Sequence, residues 1–275
     1  MLGKMIKHEF RATGRLYIPL FIMVAVLTPI LSLLFKLASG IGKKSVVGGI
    51  LSGISVGGFV LMIVAFSVAS FIYIMVRFYK TVATSEAYLT FCLPVNQHHV
   101  VLSKLIVGTV WQLLTIALSV TSVYVMLVIN NILKPGTVTG VLKQIVNFVD
   151  GSSESLFVYL VKFGIIMFIS MISSTLSWYL AICLGQLFNE HRVIMSIAMY
   201  IGIYMAVQIL SMVIIIPILL GSSDFVVGQV SAFKMSNSPK LPAGFFALIG
   251  GLNAALGVVY YIASTQILKK KTNVR

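Results

Sequence analysis

The sequence has very few charged residues, and acidic residues are the scarcest of them. Charged residues make up 9% of the 275 residues, against about a quarter in soluble globular domains. The acids are Glu9, Glu86, Asp150, Glu154, Glu190 and Asp224, all outside or at the edge of the long apolar runs. Ion-coupled transporters usually carry an ionisable group at membrane depth, and membrane hydrolases need a cluster of catalytic or metal-binding side chains there. The scarcity of acids therefore argues against both classes.

Cysteine is also nearly absent, and no nucleotide-binding motif is present. Cys92 and Cys183 match neither a disulfide framework nor a metal-binding spacing. The adjacent His98 and His99 would point roughly 100° apart on a helix, which does not suit chelation. The stretch "GIGKKS" at 40–45 lacks the first glycine of a phosphate-binding loop and the hydroxyl residue after its lysine. We therefore expect no metal site, no bound cofactor and no ATPase activity in this chain itself.

Long apolar runs dominate what remains. Hydrophobic residues make up 59% of the sequence, and the mean hydropathy is +1.06. About 20 consecutive apolar residues are needed to cross a membrane core roughly 30 Å thick. We predict an all-α integral membrane protein with six transmembrane helices, at about 16–37, 57–76, 100–129, 156–184, 193–220 and 243–268. An extension of the second span back to Val46 stays open.

Basic residues greatly outnumber acids, with 20 Lys and Arg against 6 Asp and Glu. They flank the apolar runs, which indicates contact with anionic membrane lipid rather than with nucleic acid. Residues 1–15 place Leu2, Met5, Ile6 and Phe10 on one helical face, opposite the basic side chains. This pattern predicts an amphipathic helix in the membrane interface, with a frayed basic tail as the alternative. The segments on the same side of the membrane as the N-terminus are denser in Lys and Arg than those on the other side. An excess of these residues marks the cytoplasmic side, so both termini are expected in the cytoplasm.

Small and polar residues mark candidate helix contacts. Three glycines recur at four-residue spacing and predict close helix packing if that stretch is helical, the alternative being a flexible loop: Gly49, Gly53 and Gly57. Three amide side chains lie inside predicted spans: Gln112, Gln208 and Asn253. Such groups form hydrogen bonds between membrane helices or line a translocation path.

The segment between the second and third predicted spans carries the signals of a short helix. Thr84 or Ser85 can cap it, Glu86 lies in its first turn, and Pro94 ends it. A helix of about two turns is marginal alone, so it needs a lipid surface or a protein to pack against. A second short segment, "GQLFNEHRVI" at 185–194, lies between the fourth and fifth spans.

Four stretches together resemble a known family. They are "KHEFRATGRLYIPL" at 7–20, "RFYKTVATSEAYLTFCLPVNQHHVVLSKLI" at 77–106, "LGQLFNEHR" at 184–192 and "YYIASTQILKKKTNVR" at 260–275. In order and spacing they resemble small permeases of the ABC type-two superfamily from Gram-positive bacteria. The resemblance follows the six-span plan along the whole chain, although the sharp motifs occupy only part of it.

The resemblance implies the permease subunit of an ATP-driven exporter. Such a chain pairs with a second permease chain, the same or different, and with two separate ABC ATPase subunits that bind ATP and Mg. Residues 1–15 would be a connecting helix, residues 16–275 a single permease domain, and the loop at about 77–104 would hold the coupling helix. The docking surface would comprise Ser85, Glu86, Tyr88, Leu89, Phe91, Leu93 and Pro94, with a smaller contact at Glu190, His191 and Arg192.

Relatives of this kind include exporters of toxin and antimicrobial peptides, and a path poor in fixed charge suits a hydrophobic or amphipathic peptide. We therefore expect a peptide exporter in the bacterial plasma membrane. Two alternatives stay open. One is a secondary transporter driven by an ion gradient, and the other is a membrane subunit for peptide immunity or sensing.

Overall fold

Six long α-helices make up the part of the chain that the computed structural model describes, which comprises residues 2–40, 46–83, 97–131, 156–188, 192–221 and 245–272. They are α1 (Leu2–Gly40), α2 (Val46–Ala83), α3 (Gln97–Ile129), α4 (Leu156–Gly185), α5 (Arg192–Gly221) and α6 (Phe245–Thr272). Each contains a window long and apolar enough to cross a membrane. Two predictions are thereby confirmed for the described residues: they are all helical, and they form six helices that could cross a membrane.

The first helix is longer than the predicted span, because it includes the basic N-terminal residues. It runs as one helix from Leu2 to Gly40, and both Pro19 and Pro29 lie inside it. Proline is tolerated in membrane helices because neighbouring groups satisfy the freed backbone acceptors. The frayed-tail alternative is therefore wrong from Leu2 onwards. The backbone does not separate residues 2–15 from the span, and their role as an interfacial helix stays a prediction.

The second helix begins at Val46, the start that the sequence left open. The glycines at positions 49, 53 and 57 are consequently helical, and the loop alternative for them is wrong. The bounds of α3 to α6 agree with the predicted spans to within a few residues.

The chain divides into two compact units. The first, Met1–Thr137, contains α1, α2 and α3, and the second, Val138–Arg275, contains α4, α5 and α6. The prediction that residues 16–275 act as one permease domain concerns how the units work together and stays a prediction.

In the first unit, α1 packs against both α2 and α3. Tyr17 of α1 contacts Tyr73 of α2, and Phe21 contacts Phe66, with ring centroids 5.5 and 5.6 Å apart. Because ascending positions on α1 meet descending positions on α2, the two helices are antiparallel. The far side of α1 is lined with exposed apolar side chains, as a lipid-facing surface requires.

In the second unit, α4 packs against both α5 and α6. Trp178 of α4 stacks on Tyr200 of α5, with ring centroids 3.5 Å apart. Close to the end of α4, a Cβ added at Gly185 would lie 2.7 Å from the backbone of Ser196. Only glycine therefore fits there, and the two helices approach closely, as small residues permit in membrane proteins.

Candidate functional site

A cluster of charged side chains joins the three helices of the first unit. Glu9 of α1 accepts from Arg77 of α2, with Oε2 and Nε 3.2 Å apart, and from Lys104 of α3, with Oε1 and Nζ 2.6 Å apart. Lys104 also donates from Nζ to Oγ1 of Thr81 on α2, at 2.9 Å. One carboxylate thus connects α1 to both neighbouring helices. We call Glu9, Arg77, Thr81 and Lys104 the ion cluster.

The ion cluster is largely shielded from solvent. The side chains of Lys104, Glu9 and Arg77 are 5%, 15% and 25% exposed. A buried charge is costly unless an opposite charge and hydrogen bonds compensate it, and the short contacts to the carboxylate are of the strong, charge-assisted kind. Among the described residues Glu9 is the only acid. It is therefore the one carboxylate within that part of the chain that compensates both cations.

The periodicity of α1 places these groups on one side. Glu9, Thr13 and Tyr17 follow one another at four-residue spacing, so they lie on one helical face. This face meets α2 and α3. The basic side chains of the same turns are all exposed: Lys4, Lys7, His8, Arg11 and Arg15. The first turns of α1 therefore have a packed face with one acid and an open face with only basic charge.

An aromatic layer lies next to the ion cluster. Trp111 of α3 donates from Nε1 to Oγ1 of Thr13, at 2.8 Å, and Thr13 donates to the carbonyl oxygen of Glu9, also at 2.8 Å. The indole stacks on Phe10 and Tyr17, with ring centroids 4.9 and 4.4 Å apart. Because Glu9 meets Lys104 and Thr13 meets Trp111, α3 is parallel to α1. The layer thus follows the ion cluster along α1 and α3.

A second set of hydrogen bonds follows the aromatic layer. Tyr17 donates from its hydroxyl to the carbonyl oxygen of Ser70 on α2, at 2.8 Å. Thr115 of α3 donates to Oγ of Ser70, at 3.4 Å. A cavity of about 160 Å³ lies beside this point, lined by Leu16, Tyr17, Leu20, Ala69, Ser70 and Tyr73. Directional bonds therefore connect all three helices at successive levels.

The arrangement is suited to holding helices together. Both carboxylate oxygens of Glu9 are engaged by cations, and the described residues offer no second carboxylate for acid–base chemistry. Within the same ranges no group of three or more His, Cys, Asp or Glu side chains could hold a metal ion.

Most of the predicted docking residues lie outside the described residues. Ser85, Glu86, Tyr88, Leu89, Phe91, Leu93 and Pro94 fall in the segment 84–96, and Glu190 and His191 fall in 189–191. Arg192 begins α5, where only its backbone is described. Their contact with an ATPase stays a prediction. The ion cluster nevertheless includes residues on both sides of segment 84–96, because Arg77 precedes it and Lys104 follows it.

The three predicted polar span residues have different surroundings. Gln112 is buried on α3, whereas Gln208 is exposed on α5. Asn253 is half-buried and donates from Nδ2 to the carbonyl oxygen of Ile249 in its own helix, at 2.9 Å. It also borders a cavity of about 80 Å³ lined by Val207, Leu210, Ser211, Ile249, Leu252, Asn253 and Leu256. Asn253 is thus the one of the three that lines a described cavity, and a translocation path through any of them stays a prediction.

The glycine stripe of α2 faces open space. A Cβ added at Gly49, Gly53 or Gly57 would meet no atom within 4 Å. Among the described residues, therefore, no helix of this chain packs closely on the stripe. Close packing there stays a prediction that would need another molecule.

The ion cluster itself is absent from the sequence-based predictions. Two signals point to it in retrospect. Glu9 shares its helical face with Thr13 and Tyr17, which gives a polar stripe on the face opposite most of the basic residues. Furthermore, Glu9, Arg77 and Lys104 all fall on the predicted cytoplasmic side, so an acid and two bases were available to pair at one end of the spans.

No protein-family model matches the chain, and no curated protein and no solved structure is significantly similar to it. The resemblance to ABC type-two permeases therefore depends on the four quoted stretches.

Proposed function

We propose that this chain is the permease subunit of an ATP-driven ABC exporter. It acts with a second permease chain and with two separate ATPase subunits that bind ATP and Mg. Segment 84–96 docks on the ATPase through Glu86, Tyr88 and their neighbours, and residues 190–192 form a smaller second contact. Residues 1–15 lie in the cytoplasmic membrane interface, and both termini are cytoplasmic.

The placement of acidic residues is the observation that carries this proposal. Five of the six acids fall between the helices in sequence, and Glu9, the sixth, is held by two cations near the start of α1. Coupling to an ion gradient generally needs an ionisable group at membrane depth. The described helices hold no acid other than Glu9, so the chain draws its energy more simply from a partner that hydrolyses ATP.

The proposed mechanism uses segment 84–96 as the point where force enters. Closure of the ATPase subunits around ATP displaces this segment and, to a smaller extent, residues 190–192. The helices that flank the segment then shift, and access to a path between the two permease chains changes from one side of the membrane to the other. Such closure acts as a switch between two states because each state has its own set of contacts.

The proposed substrate is a hydrophobic or amphipathic peptide. The described helices expose many large apolar side chains, and their sequences hold few charges to bind a small ion or a polar metabolite. A long apolar surface can accommodate a peptide without fixing each polar group separately. The toxin-like and antimicrobial peptides exported by similar permeases have this chemistry.

The proposal is tested in proteoliposomes that contain the chain together with its proposed ABC ATPase partner. The measured quantity is uptake of a fluorescent amphipathic helical peptide per ATP hydrolysed. Glu86→Ala and Tyr88→Ala should each lower this ratio at least about tenfold, because coupling free energies typically span 1–3 kcal/mol. Thr90→Ala, in the same segment but outside the proposed docking surface, is the matched control and should keep the wild-type ratio.

Three outcomes would contradict the proposal or its docking segment. Peptide transport that survives without ATP and stops when the ion gradient is collapsed would indicate a secondary transporter. Tight peptide binding without any ATP-dependent transport would favour an immunity or sensing subunit. Unchanged transport by both docking variants would remove segment 84–96 from the mechanism.

A further inference from the structure

The ion cluster connects elements that are distant in sequence. Glu9 lies 68 residues from Arg77 and 95 residues from Lys104. Lys104 also reaches Thr81, so α2 and α3 are joined to each other as well as to α1. All three connections end on the two helices that lead into and out of segment 84–96. No other acid of the described residues is available to replace Glu9 in them.

The position of these contacts matters more than their number. They lie near the last residues of α2 and the first residues of α3. A displacement of segment 84–96 reaches those two helix ends first. Without a lateral connection, the ends can move relative to α1, and the displacement is lost locally. With the carboxylate in place, α1 must follow, because separating the groups would break the ion pair between Glu9 and Lys104, whose side chain is 5% exposed.

The layer beyond the ion cluster extends this connection along the unit. Trp111 is bonded to Thr13 and stacked on Phe10 and Tyr17, and Tyr17 is bonded to Ser70. Packed side chains of this kind transmit displacement because close-packed interiors deform little. The end of the unit that contains the ion cluster and the aromatic layer can therefore move as one body.

We propose that Glu9 is a positioning residue for transport, which ties α1 to both helices that flank segment 84–96 and makes the three helices move together. This inference rests on the proposed function, because it assigns the coupling force to segment 84–96. Glu9 touches neither the peptide nor the nucleotide in this scheme. It determines how much of the movement of the segment reaches the rest of the first unit.

The first test separates coupling from folding. Glu9→Gln alone leaves a buried lysine without its carboxylate, so we combine it with Lys104→Met, which removes the buried charge. The double variant should fold, bind the ATPase and hydrolyse ATP, while peptide transport per ATP falls about fivefold or more. Arg11→Gln, which removes an exposed charge from the same helix, is the matched control and should keep the wild-type ratio.

A charge-exchange variant adds a rescue. Glu9→Lys with Lys104→Glu restores opposite charges between α1 and α3, and it should recover at least half of the wild-type transport per ATP. A double variant Glu9→Gln/Lys104→Met that transports at the wild-type ratio would overturn the inference while leaving the proposed function intact. A wild-type complex that shows no ATP-driven transport would instead overturn the proposed function.

A second measurement leaves Glu9 and Lys104 unchanged, so it does not depend on whether the charge variants fold. Spin labels on Gly3→Cys of α1 and Val76→Cys of α2, both at exposed positions, report the distance between the two helix ends. Cys92 and Cys183 are replaced beforehand by Ser and Ala. In the wild-type complex the distance should be the same with and without ATP, because the helices move together. A distance that changes between these states would overturn the inference.

Discussion

At the scale of single residues, the indole of Trp111 has two roles in the first unit. Its ring stacks on both Phe10 and Tyr17, and its Nε1 donates a hydrogen bond to the hydroxyl oxygen of Thr13. Buried indole N–H groups usually find such a partner, because leaving the donor unpaired costs free energy. The stacking and the hydrogen bond can be separated by substitution, since phenylalanine keeps an aromatic ring and removes the donor.

We expect Trp111→Phe and Thr13→Val to be coupled. Each single change should lower the free energy of unfolding, and the double variant should lose less than the sum of the two. The shortfall should be about 0.6 kcal/mol, the average for hydrogen bonds between helices in a membrane protein. Unfolding of the detergent-solubilised chain by titration with dodecyl sulfate measures it. Strict additivity would mean that the bond between Trp111 and Thr13 does not stabilise the unit.

The residue scale is also where sequence-based prediction was least complete. Glu9 is visible in the sequence as one acid among basic neighbours, yet its partners come from two helices far along the chain. Helical periodicity assigns a side chain to a face, but it does not say which other helix that face meets. The pairing depends on how the helices pack, which no local pattern encodes.

At the scale of helices, close approach in the second unit depends on a single glycine. Gly185 lies against the backbone of Ser196, where helices α4 and α5 meet. A methyl group at this position cannot be accommodated by turning a flexible side chain, because the obstacle is backbone. The two helices would have to move apart.

We therefore expect Gly185→Ala to destabilise the chain, even though alanine favours helices over glycine. The loss should be about 1–3 kcal/mol, as for other overpacked sites. Gly202→Ala on α5 is the matched control, because a Cβ there meets no atom within 4 Å, and it should not lower stability, since alanine favours the helix. Thermal unfolding in detergent distinguishes them, and equal melting temperatures for the two variants would contradict the packing at Gly185.

The helices themselves were largely predictable. Apolar runs of sufficient length gave the class and most of the bounds, because backbone groups in lipid must be satisfied within a helix. The exceptions are α2, which continues to Ala83 rather than ending at about residue 76, and α1, where the change from an amphipathic to a wholly apolar pattern at about residue 16 predicted two segments. The hydrophobic pattern indicates what surrounds a helix, but it does not indicate where the helix begins. The helical backbone continues from Leu2 to Gly40 across that change.

At the scale of the whole molecule, charge is unevenly distributed along the chain. The ion cluster joins the start of α1, the end of α2 and the start of α3, so these three ends lie on one side of the first unit. Exposed basic residues surround the same end of α1. An excess of Lys and Arg marks the cytoplasmic side of membrane proteins, which is why we predict a cytoplasmic N-terminus.

This orientation can be tested with single cysteines in a chain that carries Cys92→Ser and Cys183→Ala. A membrane-impermeant maleimide applied to intact cells should label Lys43→Cys, between α1 and α2, and should label Gly3→Cys only after the cells are permeabilised. Labelling of Gly3→Cys in intact cells, with protection of Lys43→Cys, would reverse the orientation.

The position of the ion cluster in the first half of the chain also has a consequence for how the protein is made. All members of the ion cluster belong to the N-terminal half of the chain, so they leave the ribosome before α4 is synthesised. Glu9 and Arg77 can meet as soon as α2 has been inserted, and Lys104 then enters the membrane beside a carboxylate already in place. The first unit can thus close during translation, and the lysine least exposed in the cluster need not wait, unpaired, for the rest of the protein.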